Sequence, residues 1–272
     1  MDRIDSHQHF WKVDRGDYGW LTPEQGVLYK DYQPEDILPL LKASNIDKTI
    51  VVQAAETTAE TEYLLALADE NEFIVGVVGW VDMEDDVCLE DFAKHSKFKG
   101  IRPMIQDIPD TNWMLKDELG PTLRKIEELG LCFDALVKPP HLSALQKFVL
   151  RYPTLKIVID HGAKPNIANG EFNHWANDIK KLSKSKNVYC KISGLLTEAK
   201  QGASQKDLKV YVDHLLECFG AERLMWGSDW PVLKLANEYE NWMQMSEEML
   251  SDLSEHDKAY IFGGTASIFY NL

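Results

Sequence analysis

Two histidines one residue apart, His7 and His9 in IDSHQHF, and a late acid, Asp229 in GSDWP, have the types and spacing to do chemistry together. On an extended strand, residues two apart face the same side, so the two imidazoles project together. Two imidazoles on one face are a grip for one divalent metal, and a carboxylate would complete the set. The same carboxylate can take a proton from water, as a general base must. Each residue also has a plainer reading. An H-x-H pair can be structural, and an Asp before Trp-Pro can be a helix N-cap.

The pairing needs a scaffold that brings the two chain ends together. Short apolar runs fall at 4–10, 49–54, 73–81, 98–104, 132–137, 156–160, 188–193 and 223–227. Several, such as TIVVQA, IVGVVGWV and KIVID, are rich in β-branched residues without polar alternation, which suits strands covered on both faces. Between them lie amphipathic stretches at 34–43, 61–71, 122–129, 142–152, 175–183 and 208–219. The first opens on acidic residues but contains Pro39, and the third and last end on Gly130 and Gly220.

Eight strands alternating with helices, over roughly the 250 residues typical of the fold, predict one (β/α)8 barrel spanning residues 1–272. The rival, a doubly wound open sheet, lacks a G-x-G-x-x-G after any strand. Polar residues interrupt the runs mainly at their C-terminal ends: His7, His9, Gln53, Asp82, Arg102, Asp134, His161, Lys191, Ser228 and Asp229. That is the end where barrel active sites lie. In a closed barrel the last strand borders the first, which sets Asp229 beside His7 and His9.

Composition narrows the partners. Lys and Arg total 29 against 44 Asp and Glu, a net charge of -15. Such a balance argues against nucleic acid and against an anionic membrane surface, both of which are bound through clustered cations. No run approaches the roughly 18 apolar residues of a membrane span, and the N-terminus shows no secretory pattern. Four scattered cysteines without a C-x-x-C pairing read as free thiols in a reducing compartment, so a cytoplasmic location is expected.

Seven ordered segments, DSHQHFW, GVVGWVDM, KGIRPMIQD, GLCFDALVKPPHL, VIDHGAKP, CKISGLLTEA and RLMWGSDWPV, resemble the sugar-lactonase branch of the amidohydrolase superfamily, which includes L-fuconolactonase-like and L-rhamnonolactonase-like proteins. The resemblance implies hydrolysis of an aldonolactone, one of a 6-deoxy sugar by preference. Asp229 would serve as general base and then acid, and His7, His9 and Asp229 would hold zinc, as one ion or none. It also matches His161 to a histidine facing the same cavity, although Asp160 and His161 can equally be a hydrogen-bonded pair at a strand end. Many two-metal members carry a carboxylated lysine on a middle strand. Here that region reads FDALVKPP, which limits the metal to one.

Five further side chains complete the expected substrate site, two of them with two readings. Arg102 would orient the lactone or stabilise the oxyanion, or else pair with Asp134 or Asp82. Lys191 has the same two readings, with the structural partner favoured. Trp20 and Trp113 lie in loop-like segments and would offer rings to the C–H faces of a sugar, and Gln53 would bind a hydroxyl. Other chemistries are less well served. A dicarboxylate lactone would want several pocket arginines, and a metal-dependent decarboxylase another strand-end histidine where this chain reads CKISG. A non-catalytic carbohydrate-binding barrel would have no use for His7, His9, His161 and Asp229 together.

Overall fold

The computed structural model describes residues 1–85 and 88–272. Eight strands run in chain order around one parallel sheet: β1 Ile4–Gln8, β2 Lys48–Val52, β3 Ile74–Gly79, β4 Phe98–Ile101, β5 Cys132–Ala135, β6 Ile157–Ile159, β7 Val188–Ile192 and β8 Leu224–Trp226. Each pairs in parallel with its successor. The expected (β/α)8 barrel is therefore the observed one.

The sheet closes just past β8. The amide of Asp229 donates to the carbonyl of His7 at 2.8 Å, and that of His9 donates to the carbonyl of Trp230 at 2.7 Å. Asp5 reinforces the join, because its Oδ1 accepts from the amides of His7 at 3.1 Å and Ser228 at 2.9 Å. Gly227 is required here, since a Cβ at this position would lie 2.8 Å from the Cβ of His7.

Among the described residues, ten α-helices surround or cap the sheet: α1 Pro34–Ala43, α2 Thr58–Glu70, α3 Leu89–Ala93, α4 Gly120–Glu128, α5 Leu142–Arg151, α6 Asn173–Leu182, α7 Gln205–Phe219, α8 Tyr239–Met249, α9 Glu255–Ala259 and α10 Thr265–Tyr270. The start of α1 is fixed by Pro34 in its first turn and by the Asp36 carboxylate, which accepts from the amide of Gln33. It continues through Pro39 because that residue is exposed, so the carbonyl it leaves unbonded faces water. Ser204 and Asp207 cap α7 reciprocally, and Gly220 ends it at φ 65°.

The strands are shorter than the apolar runs at their C-terminal ends. β1 stops at Gln8 and β4 at Ile101, immediately before Arg102-Pro103, where proline has no amide to give to the ladder. His9, Gln53, Arg102, His161 and Asp229 thus stand on the first residues beyond their strands. The barrel interior is layered. At its N-terminal end Ile4, Ile50, Val52, Val78, Val158 and Met225 pack against Phe269 and Tyr270 of α10, forming an apolar plug. A second, larger apolar layer lies between sheet and helices, around residues such as Ile37, Leu64, Phe148 and Leu215. Polar side chains occupy the interior above the plug. Cys132 and Cys190 are buried, Cys88 and Cys218 half-buried, and all four are free thiols. Among the described residues, no helix is long and apolar enough to cross a membrane.

Candidate active site

Asp229 is the centre of the polar layer. Its Oδ1 lies 3.3 Å from His9 Nε2, 3.7 Å from His7 Nε2 and 3.9 Å from His161 Nε2. The two strand-1 imidazoles meet each other at 3.2 Å, Nε2 to Nε2. His9 is oriented by the carbonyl of Val52, 2.8 Å from its Nδ1. A carbonyl only accepts, so Nδ1 carries the proton and the neutral ring turns its Nε2 lone pair to the cavity.

Backbone conformation aims these side chains. Asp229 has φ 58°, and His161, Gly162, Ala163 and Lys164 form an unbroken left-handed run at φ 54°, 57°, 63° and 49°. Each such non-glycine residue costs roughly 1–2 kcal/mol, a cost that persists where the surrounding structure imposes it and that clusters at functional sites. The run puts His161 and Lys164 on the same cavity. His161 is held by Ser193, whose Oγ lies 2.9 Å from its Nδ1.

Beneath the histidines is an ion layer. Lys191 Nζ lies 2.6 Å from Asp134, 3.0 Å from Asp160 and 3.1 Å from His7 Nδ1. Tyr270 donates to Asp134 at 2.7 Å. Arg102 reaches across from β4: its NH2 donates to the carbonyl of Gln53 and, at 2.9 Å, to Gln53 Oε1, while NH1 lies 3.4 Å from His7 Nε2 and 3.6 Å from Asp160. Its acidic partner is therefore Asp160 on the neighbouring layer, and neither Asp134 nor Asp82.

Burial dominates the electrostatics. It lowers the pKa of His7 well below the ordinary value, assisted by Lys191; it lowers that of His9; and it pushes His161 down to about 4. All three rings are neutral at pH 7. Burial alone would raise Asp229, but the imidazoles around it outweigh that effect and hold the carboxyl well below the usual range. Burial likewise opposes ionisation of Asp160, yet Lys191 and His7 keep it a carboxylate. Asp134 is pushed up to about 6, and its carboxylate and that of Asp160 raise the pKa of Lys191 against the effect of burial.

Above this layer opens a cavity of ≈ 260 Å³, bordered by His9, Arg102, His161, Lys164 and Asp229 on its polar side. Trp11, Trp20, Met104, Leu136 and Val232 form the apolar side. Trp20 is fixed by donation from its indole N–H to the carbonyl of Ala54 at 2.8 Å. The volume lies just below the range of about 300–1,000 Å³ usual for small-molecule pockets, which suits one small ligand.

Five of the residues expected from sequence thus border this cavity: His9, Arg102, His161, Asp229 and Trp20. His7 lies directly behind His9. Gln53 and Lys191 are fully buried beneath the floor, where Gln53 holds Arg102 and Lys191 holds two carboxylates. Trp113 borders a separate hollow with Trp80, on the far side of Met104. Lys164, Met104 and Asp107 border the main cavity without having been singled out. Each lies in a segment already noted, Lys164 three residues after His161 in IDHGAKP, and Met104 and Asp107 after Arg102 in KGIRPMIQD.

His7, His9 and Asp229 pass a donor test for a metal. Ligand atoms about 2.0–2.1 Å from a tetrahedral zinc stand about 3.3–3.4 Å apart, and the three separations here are 3.2, 3.3 and 3.7 Å. The Nε2 lone pair of His9 and the Oδ1 of Asp229 also face each other, an arrangement that a positive centre between them would stabilise. A second group, His7, Asp160 and His161, has compatible spacing, but its carboxylate is already engaged by Lys191 and Arg102.

Comparison with known proteins adds independent support. Residues 4–272 match the family model described as amidohydrolase. An L-fucono-1,5-lactonase of Burkholderia ambifaria is 42% identical, the match covering 99% of this chain and 96% of that protein. An L-fucono-1,5-lactonase of Burkholderia multivorans is 35% identical over the same shares, 99% and 96%. The crystal structure of an amidohydrolase from Burkholderia multivorans with bound zinc superposes with a TM-score of 0.95 at 34% identity, covering 100% of both chains. The chain belongs to the amidohydrolase family.

Proposed function

We propose that this protein hydrolyses a sugar 1,5-lactone, with a 6-deoxy sugar such as L-fucono-1,5-lactone as the preferred substrate, to the open-chain sugar acid. The observation that carries the reading is the position of Asp229, an ionised carboxylate among three neutral imidazoles at the floor of a monosaccharide-sized cavity. The two L-fucono-1,5-lactonase relatives supply the substrate class.

In this mechanism Asp229 takes a proton from water as the oxygen adds to the lactone carbonyl. The same carboxyl then returns the proton to the ring oxygen as the acyl–oxygen bond breaks. Arg102, fixed by Gln53 and Asp160, and His161, fixed by Ser193, face the oxygen on which negative charge develops. Trp20 offers a flat apolar surface to the C–H face of the sugar. A zinc ion held by His7, His9 and Asp229 would supply Lewis-acid polarisation and make water more acidic.

The charges bordering the cavity cancel, Asp107 and Asp229 against Arg102 and Lys164. That balance favours an uncharged lactone over a dicarboxylate. The test is acid release from a panel of six-carbon and 6-deoxy sugar lactones by the wild type and Asp229→Asn. The variant is expected to lose roughly 10²–10⁴-fold in kcat, the usual contribution of a general acid–base group, and unchanged turnover would remove Asp229 from its role. Metal content of chelator-free protein, with zinc titration of His9→Ala, tests the metal site separately.

A further inference from the structure

Hydrolysis of a neutral lactone creates a charge. The acid formed inside the cavity ionises, and its carboxylate then lies near the Asp229 carboxylate in a site of low polarity. Two cations border the cavity among the described residues, Arg102 and Lys164, and they are differently engaged. The NH1 and NH2 groups of Arg102 are engaged by Gln53, Asp160 and His7, and its side chain is only 4% exposed. Lys164 is 20% exposed, and among the described residues the carboxylate within 4 Å of its Nζ is that of Glu198, at 3.9 Å, beyond hydrogen-bonding distance. Among those residues its ammonium makes no side-chain hydrogen bond, so its protons can meet an incoming oxygen.

Its placement is costly. Lys164 is the fourth residue of the left-handed run that begins at His161, and its amide donates to the carbonyl of His161 at 2.8 Å. The turn that aims the imidazole therefore fixes the root of the lysine stem, leaving a flexible charged tip between floor and solvent.

Building on the lactonase reading, we propose that Lys164 is the product-binding residue, leaving Glu198 to hold the carboxylate released by ring opening. A neutral lactone has no charge for it to pair with, so Lys164 discriminates acid from lactone. Being nearer the mouth than Arg102, as its exposure shows, it draws the anion away from Asp229.

Calorimetric titration of the wild type, Lys164→Met and Lys164→Arg with L-fuconate and with neutral L-fucose tests this. Neither replacement changes the backbone cost, because methionine and arginine meet the left-handed conformation as lysine does. A charge-assisted hydrogen bond is worth about 1.5–3 kcal/mol, so Lys164→Met is expected to weaken fuconate binding at least about tenfold. Fucose affinity is expected to change by less than about threefold, and Lys164→Arg to restore most of the loss. Equal losses for both ligands, unchanged fuconate affinity in Lys164→Met, or no fuconate binding to the wild type would each overturn the proposal. Failure of the lactone panel with intact, Lys164-dependent fuconate binding would instead count against the hydrolytic reading alone.

Discussion

The ammonium of Lys191 lies 2.6 Å from the carboxylate of Asp134, and neither side chain has any exposure to solvent. Asp160 approaches the same nitrogen at 3.0 Å. Lys191 is thus the counter-ion of two buried acids directly beneath the histidines. Lys191→Met should leave Asp134 without a cation and Asp160 with Arg102 alone, and cost about 3–5 kcal/mol of stability, the usual penalty for breaking a buried pair from one side. Urea unfolding measures it. Adding Asp134→Asn to that variant should recover part of the loss, and a Lys191→Met protein as stable as the wild type would contradict the assignment.

Gly194 leaves room for His161. A Cβ there would stand 2.5 Å from the imidazole Nδ1, on a backbone at φ 59°. Gly194→Ala should displace the ring and lower kcat at least about tenfold, beyond the backbone penalty of roughly 1–2 kcal/mol. Gly170→Ala is the control. It is left-handed at φ 68° and ψ 25° with nothing within 4 Å of the added carbon, so stability should fall while turnover holds. Equal turnover in the two variants would show that His161 has no need of that space.

Glu60 makes stability depend on pH. Burial pushes its carboxyl up to about 7, despite hydrogen bonds from the amides of Ala54 and Ala55. Its folded pKa exceeds the ordinary 4.5, so the folded state binds the extra proton between those values and this contribution is lost as pH rises toward and through 7. Glu60→Gln imitates the protonated form. Its melting temperature relative to the wild type should therefore rise between pH 5 and pH 8 by the equivalent of at most about 3 kcal/mol. A pH-independent difference would show that Glu60 has the same pKa folded and unfolded.

Trp20 should act on binding more than on chemistry. Its ring borders the cavity and its N–H is anchored to Ala54. Trp20→Ala is expected to raise KM for the lactone about tenfold, the larger share of a ring's packing and burial. Its effect on kcat should be smaller, as steady-state kinetics over the lactone panel would reveal. A change in kcat alone would move Trp20 from the wall of the cavity into the chemistry.

The eight strands were legible because each is buried on both faces and so appears as an unbroken apolar run. The short helix at Leu89–Ala93 and those after residue 230 were not. The helix Tyr239–Met249 carries Trp242, Met243 and Met249 among polar residues, and no glycine or proline marks its ends. For the site, strand-end position pointed to His9, Arg102, His161 and Asp229, all of which border the cavity, yet it could not separate the cavity wall from the layer below. Gln53 and Lys191 have the same sequence signature as Arg102, and only the depth of each side chain in the barrel distinguishes them. Trp113 and Lys164 depended on loop conformation. Four successive left-handed residues turn Lys164 inward, and nothing in ordinary propensities predicts such a run through two residues that are neither glycine nor asparagine and a lysine at its end.

The closure of the barrel through His7, His9, Asp229 and Trp230 has a consequence for how competence is acquired. These contacts join residues 222 and 221 positions apart along the chain, and pairings of that kind form late because loop entropy must be overcome first. A chain halted before its eighth strand has neither a proton acceptor nor a finished wall. Activity therefore reports on completion of the whole ring, and truncated or half-assembled molecules should be inert rather than weakly or wrongly active.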